Sequence, residues 1–246
     1  MSSPHSSAPA FRITHEETPS GTLLAGFSSF GLAGLTAVDY LVERLDLEQQ
    51  GHLTAAGLPS VTPFQDGRPR HHTRIFSRDD LDVSVLVGEL FVPVSASEAF
   101  TDAVLDWTVD NGVEEVAVLT GVPIAHAPDD HRTFYVATDD YRQRRLVDAD
   151  VPAMGSGFLD GTNASLVGRG MDSSLGVCVY VTPVHAQIPD VAAAIRLVEA
   201  VGSVYDLDVD AEPLRQFAAE VQRYYAELAE KMEPRETEMS EDRMFM

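Results

Sequence analysis

A glycine loop, one acidic strand end, scattered histidines and a single cysteine are the first features with catalytic or binding potential. The loop Gly26-Phe-Ser-Ser-Phe-Gly31-Leu-Ala-Gly34 follows a short apolar run and opens a helical pattern. That is the setting in which backbone N–H groups at a helix start bind phosphate. Its spacing departs from both phosphate fingerprints. Leu32 and Ala33 stand where a Walker loop places Lys and then Ser or Thr, and only the Gly31-x-x-Gly34 half of G-x-G-x-x-G is present. The competing reading is a tight strand-to-helix turn whose small residues let the helix lie close to a sheet. Glu89, in Val87-Gly88-Glu89-Leu90, comes just after an apolar strand, where strand ends often build sites, but no partner for it is identifiable by spacing. Gly26, Gly31, Gly34 and Glu89 are therefore the residues of one candidate ligand loop, for a phosphorylase- or hydrolase-like activity.

Other chemistry-bearing residues lack the geometry their chemistry needs. His126 and His131 flank Ala-Pro-Asp-Asp, and His71-His72 are adjacent; neither pattern puts two ligands on one helix face, so no metal site is expected. Gly155-Ser156-Gly157 lacks the flanking spacing of a nucleophile elbow. The one cysteine, Cys178, lies in Val177-Cys178-Val179-Tyr180-Val181 and reads as a buried structural thiol, which excludes an internal disulfide. Arg68, Arg70, His71, His72, Arg74 and Arg78 make the one basic island, read as a solvated hairpin with contact to an acidic partner as the alternative.

The elements that must position these residues alternate. Residues 22–27 read as a strand and 31–47 as a helix, with Leu32, Leu35, Val38, Leu41, Val42 and Leu45 at three- and four-residue spacings. Residues 83–87 form the next strand. Ser95 and Glu98 then suggest a capping box, and Phe100, Val104 and Trp107 mark the buried stripe of the helix that follows. Val116 to Leu119 supplies another buried strand, and strands separated by helical crossovers argue for parallel pairing. Further on, residues 134–136 and 176–181 read as strands and 163–172 as a short helix. Pro189-Asp190 opens a helix carrying Val191, Ile195, Val198 and Val201, and a last amphipathic helix covers 212–232. The expectation is an α/β protein with a flexible leader over 1–18, order from near Gly21, one domain over 19–233, and a flexible tail over 234–246.

With 246 residues, 44% of them hydrophobic, the chain can bury roughly 72–75% of its unfolded surface. The formal net charge of −22 argues against wrapping nucleic acid, whose phosphates demand a basic footprint. No run approaches the ~18 apolar residues that span a bilayer, and the first residues lack a basic stretch followed by an apolar core. A cytoplasmic protein is expected. Lys231 is the only lysine among 17 basic residues, against 39 acids. That balance resembles proteins of salt-accumulating archaea, in which carboxylates hold hydration and salt screens self-repulsion, and so suggests a halophilic archaeal source.

Several segments together resemble the proteasome assembly chaperone 2 family in its archaeal and bacterial branch. They are Leu24 to Gly34 running into Ala37-Val38-Asp39-Tyr40-Leu41, the Gly88-Glu89 strand end, Leu119-Thr120-Gly121-Val122-Pro123, and Thr182 to Asp190 followed by an alanine-rich helix. The likeness spans about residues 20–232. It implies a three-layer α/β/α fold like that of nucleoside phosphorylases, a homo-oligomer, no cofactor, and no established catalytic centre. It also implies a chaperone or adaptor that docks on the α-subunit ring of the proteasome core particle without ATP.

The sequence ends Met244-Phe245-Met246 after a polar spacer, an apolar cluster that no core is placed to receive. It resembles the hydrophobic-tyrosine-any tail with which proteasome activators and some chaperones enter pockets between α subunits. Met244 takes the hydrophobic position, Phe245 the aromatic one, and Met246 supplies the carboxylate. Phe for Tyr gives up a hydroxyl hydrogen bond, worth about 0.5–1.5 kcal/mol, and keeps the ring's burial. Met244, Phe245 and Met246 are thus the expected partner-binding residues.

Overall fold

The computed structural model describes residues 10–124, 131–185 and 189–232. The expected docking residues 244–246, His126 and residues 1–9 of the expected leader lie outside them.

The core strand is β2 (Thr22–Phe27), whose apolar residues are buried on both faces. Its parallel neighbours are β7 (Ser84–Gly88) and β8 (Glu115–Val122), and β8 pairs in parallel with β10 (Gly176–Pro183). Continuous apolar runs such as Val116 to Leu119 and Val177 to Val181 are what helices on both faces of a parallel sheet require. On one face lie α2 (Ser97–Asn111) and α4 (Gly161–Met171), where Phe100, Val104, Trp107 and Leu166 meet Leu23, Ala25, Leu86, Val116 and Val179. On the other lie α1 (Ala33–Arg44) and α5 (Val191–Tyr205), packed against each other and on β8.

Antiparallel strands extend both sides of this centre. On one side stand β1 (Ala10–His15), β3 (Glu48–Ala56) and β6 (Thr73–Ser77), and on the other β9 (Phe134–Ala137), giving the order β1-β3-β6-β7-β2-β8-β10-β9. A small hairpin of β4 (Phe64–Gln65) and β5 (Arg68–Pro69) sits between β3 and β6. A helical turn α3 (Asp139–Tyr141) continues into a π-helical stretch, Arg142–Leu146. The chain divides into two units, the first ending at Val209, and the second begins at Asp210 and holds α6 (Glu212–Met232).

Four expectations need correction. Order begins earlier than Gly21, because Ala10–His15, assigned to the leader, pairs residue for residue with β3. Phe11 and Ile13 point at the core, and the Phe11 ring meets Phe100 edge-on at 5.3 Å. The capping box does not form: a 3-10 turn occupies Val94–Ala96, α2 starts at Ser97, and Ser97 Oγ donates to the Pro93 carbonyl instead (3.3 Å). The first helix starts at Ala33, because Gly31 (φ 65°) and Leu32 (φ 50°) are left-handed and cannot continue a helix backwards. The basic island is only partly a solvated hairpin. Arg68 is exposed in β5, whereas Arg74 is buried in β6.

Candidate functional site

Because β2, β7, β8 and β10 run the same way, their C-terminal ends bring the candidate loop and Glu89 to one edge of the sheet. Phe27 is registered with Gly88, and the Ser28 N–H donates to the Gly88 carbonyl (2.9 Å). The loop from β2 and the segment after β7 are therefore neighbours. Gly26, Gly31, Gly34 and Glu89 are brought together as the sequence suggests.

The glycines, however, are used for packing. A Cβ on Gly26 would collide with the Gly34 carbonyl, and one on Gly34 with the Leu119 carbonyl, so the start of α1 rests directly on the backbone of β2 and β8. Gly31 turns the chain at positive φ with the Val184 side chain 3.0 Å from where its Cβ would lie, and its carbonyl accepts from the Asp190 N–H (2.8 Å). Val184 therefore packs against the side of Gly31 where a side chain would stand. This is the tight-turn reading of the loop.

Glu89 has partners that spacing did not reveal. Arg70 Nη2 donates to its Oε1 (2.8 Å), and Arg74 Nη2 to its Oε2 (3.3 Å) and, more distantly, toward Asp39 of α1 (3.8 Å). The Glu89 N–H is itself held by the His72 carbonyl (2.8 Å). Burial raises the Asp39 carboxyl against the pull of Arg74, and burial lowers Arg74, with Arg70 adding to the fall. Both Glu89 oxygens are thus held by guanidinium groups in an ion pair. Beside this tetrad the His52 and His71 rings stack at 3.7 Å, and burial together with His71 lowers both His52 and His72.

At the same edge the loop before α5 is fixed by Asp190. Its carboxylate caps α5 by accepting from the Ala193 N–H (2.9 Å), and it takes the His185 backbone N–H (3.1 Å) and contacts the His185 ring (2.9 Å). Burial works to raise this carboxyl, and these bonds outweigh it, holding Asp190 below the ordinary aspartate range. Among the described residues no group of three or more His, Cys, Asp or Glu is placed to hold a metal.

The opposite edge carries groups the sequence reading missed. Glu115, almost wholly buried, takes the Thr22 hydroxyl (3.0 Å) and Arg145 (2.8 Å) at the wall of a cleft of about 280 Å³. Above it Tyr141 shares hydroxyl bonds with Tyr180 (3.0 Å) and Tyr205 (2.5 Å), beside the buried Cys178. Burial pushes the Cys178 thiol and all three phenols up, so they stay neutral and lock α3 and α5 to the sheet. Each of these pairs joins residues 30 or more positions apart in different elements, and no local motif signals them.

Several comparisons bear on this architecture. The model of the PAC2 family matches residues 23–229. The fold is similar to the crystal structure of Pyrococcus furiosus PbaA, an archaeal homolog of proteasome-assembly chaperone, with a TM-score of 0.82 and 19% identity over 96% of this chain and 97% of that one. Pyrococcus furiosus PbaB, an archaeal proteasome activator, superposes with a TM-score of 0.75 and 18% identity over 89% and 99%. A Thermoplasma acidophilum protein of unknown function gives 0.71 and 24% over 89% and 91%. No curated protein matches the chain.

Proposed function

Because the chain belongs to the PAC2 family, we propose that it is an ATP-independent adaptor or assembly chaperone of the proteasome core particle, working in the cytoplasm as a homo-oligomer and docking on the α ring through Met244, Phe245 and Met246. The observation that carries this reading is the family match over residues 23–229, joined to a fold shared with PbaA, an archaeal homolog of proteasome-assembly chaperone, and PbaB, an archaeal proteasome activator. Two features of the candidate loop support an interaction protein over an enzyme. Its glycines are consumed by backbone packing, and Glu89 is neutralised by Arg70 and Arg74.

In this reading the tail binds by burying the Met244 and Phe245 side chains, each worth roughly 1.5–3 kcal/mol before ordering costs. A single tail binds weakly, and several on one oligomer gain avidity through effective concentration. The test is co-purification with the proteasome α ring. Deleting Met244 to Met246, or Phe245→Ala, is expected to abolish it while leaving the fold intact, and Phe245→Tyr to keep or strengthen it. Undiminished binding by the truncated chain overturns tail docking.

A further inference from the structure

The edge formed by the C-terminal ends of the parallel strands exposes more large apolar side chains than packing explains. Phe30 and Phe91 each stand three residues past the registered pair Phe27 and Gly88, on adjacent loops, and are 59% and 69% exposed. Leu32 shares the first loop, and Val94, 71% exposed, lies shortly after the second. Phe64, 74% exposed, is carried to the same edge by the β4–β5 hairpin. That hairpin is tied in by the Arg70 N–H to the Pro63 carbonyl (2.9 Å) and by the Arg70–Glu89 ion pair. A set of this kind marks an interaction surface.

The charges around it choose the occupant. Around Phe64 and Phe91, Arg70 and Arg74 offset Glu89 and Asp39, and Arg68 stands with Asp66 in the hairpin, so this part of the edge carries far less net charge than a chain of −22 does on average. Arg70 and Arg74 are already committed to Glu89, and Arg74 also to Asp39, which leaves them little pull on an acidic partner. Two copies of a strongly acidic chain repel wherever their acidic faces meet, and the repulsion is least where each presents a weakly charged, aromatic patch. We propose that this edge, with Phe30, Phe64 and Phe91 at its centre, is the surface through which one copy of the chain meets a second, the same patch on both. The proposal deepens the homo-oligomer part of the proposed function and is independent of the tail.

The experiment is the mass of the full chain by light scattering at high salt, with circular dichroism as the check of fold. Phe30→Glu/Phe91→Glu is expected to lower the mass at least twofold with the spectrum unchanged, and the milder Phe64→Ser/Phe91→Ser to weaken association in the same direction. Val109→Glu, at an exposed position on α2 away from this edge, and deletion of residues 244–246 are expected to keep the wild-type mass. If both patch variants keep that mass, or if Val109→Glu lowers it equally, the surface is wrongly assigned while the oligomer stands. A monomeric wild type overturns both the surface and the oligomer, leaving proteasome co-purification to judge the tail on its own.

Discussion

The carbonyl of Leu119 in β8 occupies the place where a Cβ on Gly34 would stand, so the first turn of α1 lies on sheet backbone with no side chain between them. Backbone cannot yield as a flexible side chain does. Gly34→Ala is therefore expected to destabilise by about 1–3 kcal/mol or more through overpacking. A lower urea midpoint at unchanged slope is the expected record, and a midpoint equal to the wild type would contradict the packing role.

Glu89 acts here as the counter-charge of Arg70 and Arg74. Glu89→Gln leaves Arg74, with only 9% of its side chain exposed, short of its main anion. The expected loss is about 2–4 kcal/mol, at or below the range for breaking a buried pair, because Arg70 and Glu89 retain some solvent. Replacing both partners, as in Glu89→Met/Arg74→Leu, is expected to recover much of that loss. Chemical denaturation of the wild type, Glu89→Met, Arg74→Leu and the double variant reads the coupling directly, and additive losses would refute it.

The phenol and thiol cluster sets an alkaline limit. Burial raises Cys178 from its usual 9.0 and Tyr141, Tyr180 and Tyr205 from 10.0. Below those usual values both folded and unfolded chains hold the protons. Above them the unfolded chain releases protons that the folded chain keeps, so unfolding is favoured as pH rises. Stability is expected to fall from about pH 9, by about 1.4 kcal/mol per pH unit for each group that titrates only on unfolding. Cys178→Ala should delay the onset by about one unit, to the range where tyrosine titrates. A flat stability profile between pH 8 and pH 11 would remove the basis for this cluster's role.

The net charge of −22 also makes stability depend on salt. Raising ionic strength from about 0.1 M to about 1 M shortens the Debye length from ~10 Å to ~3 Å and screens the self-repulsion of the folded chain. Tm is expected to rise over that interval in differential scanning calorimetry. A Tm that falls or stays level would count against a halophilic character.

The parallel centre of the fold can be read from residue order alone. Strands β2, β7, β8 and β10 and helices α2, α4, α5 and α6 are legible because their apolar residues recur with the period of their own element, and Asp190 before Val191 announces a helix start in side-chain chemistry. The tight-turn function of Gly26 to Gly34 was legible as one of two readings, since missing Lys and Ser or Thr can be seen in one dimension. Features that depend on partners far away in the chain become visible only in three dimensions. Ala10–His15 becomes a strand because β3 lies beside it with a core face for Phe11 and Ile13; alone, six residues among Ser and Pro carry too little apolar area to order. Glu89 receives its role from arginines 19 and 15 positions away, and Glu115 from residues 93 and 30 positions away. An ion pair has no periodicity: it is made by whichever elements the sheet order sets side by side, and that order follows from burying the whole core.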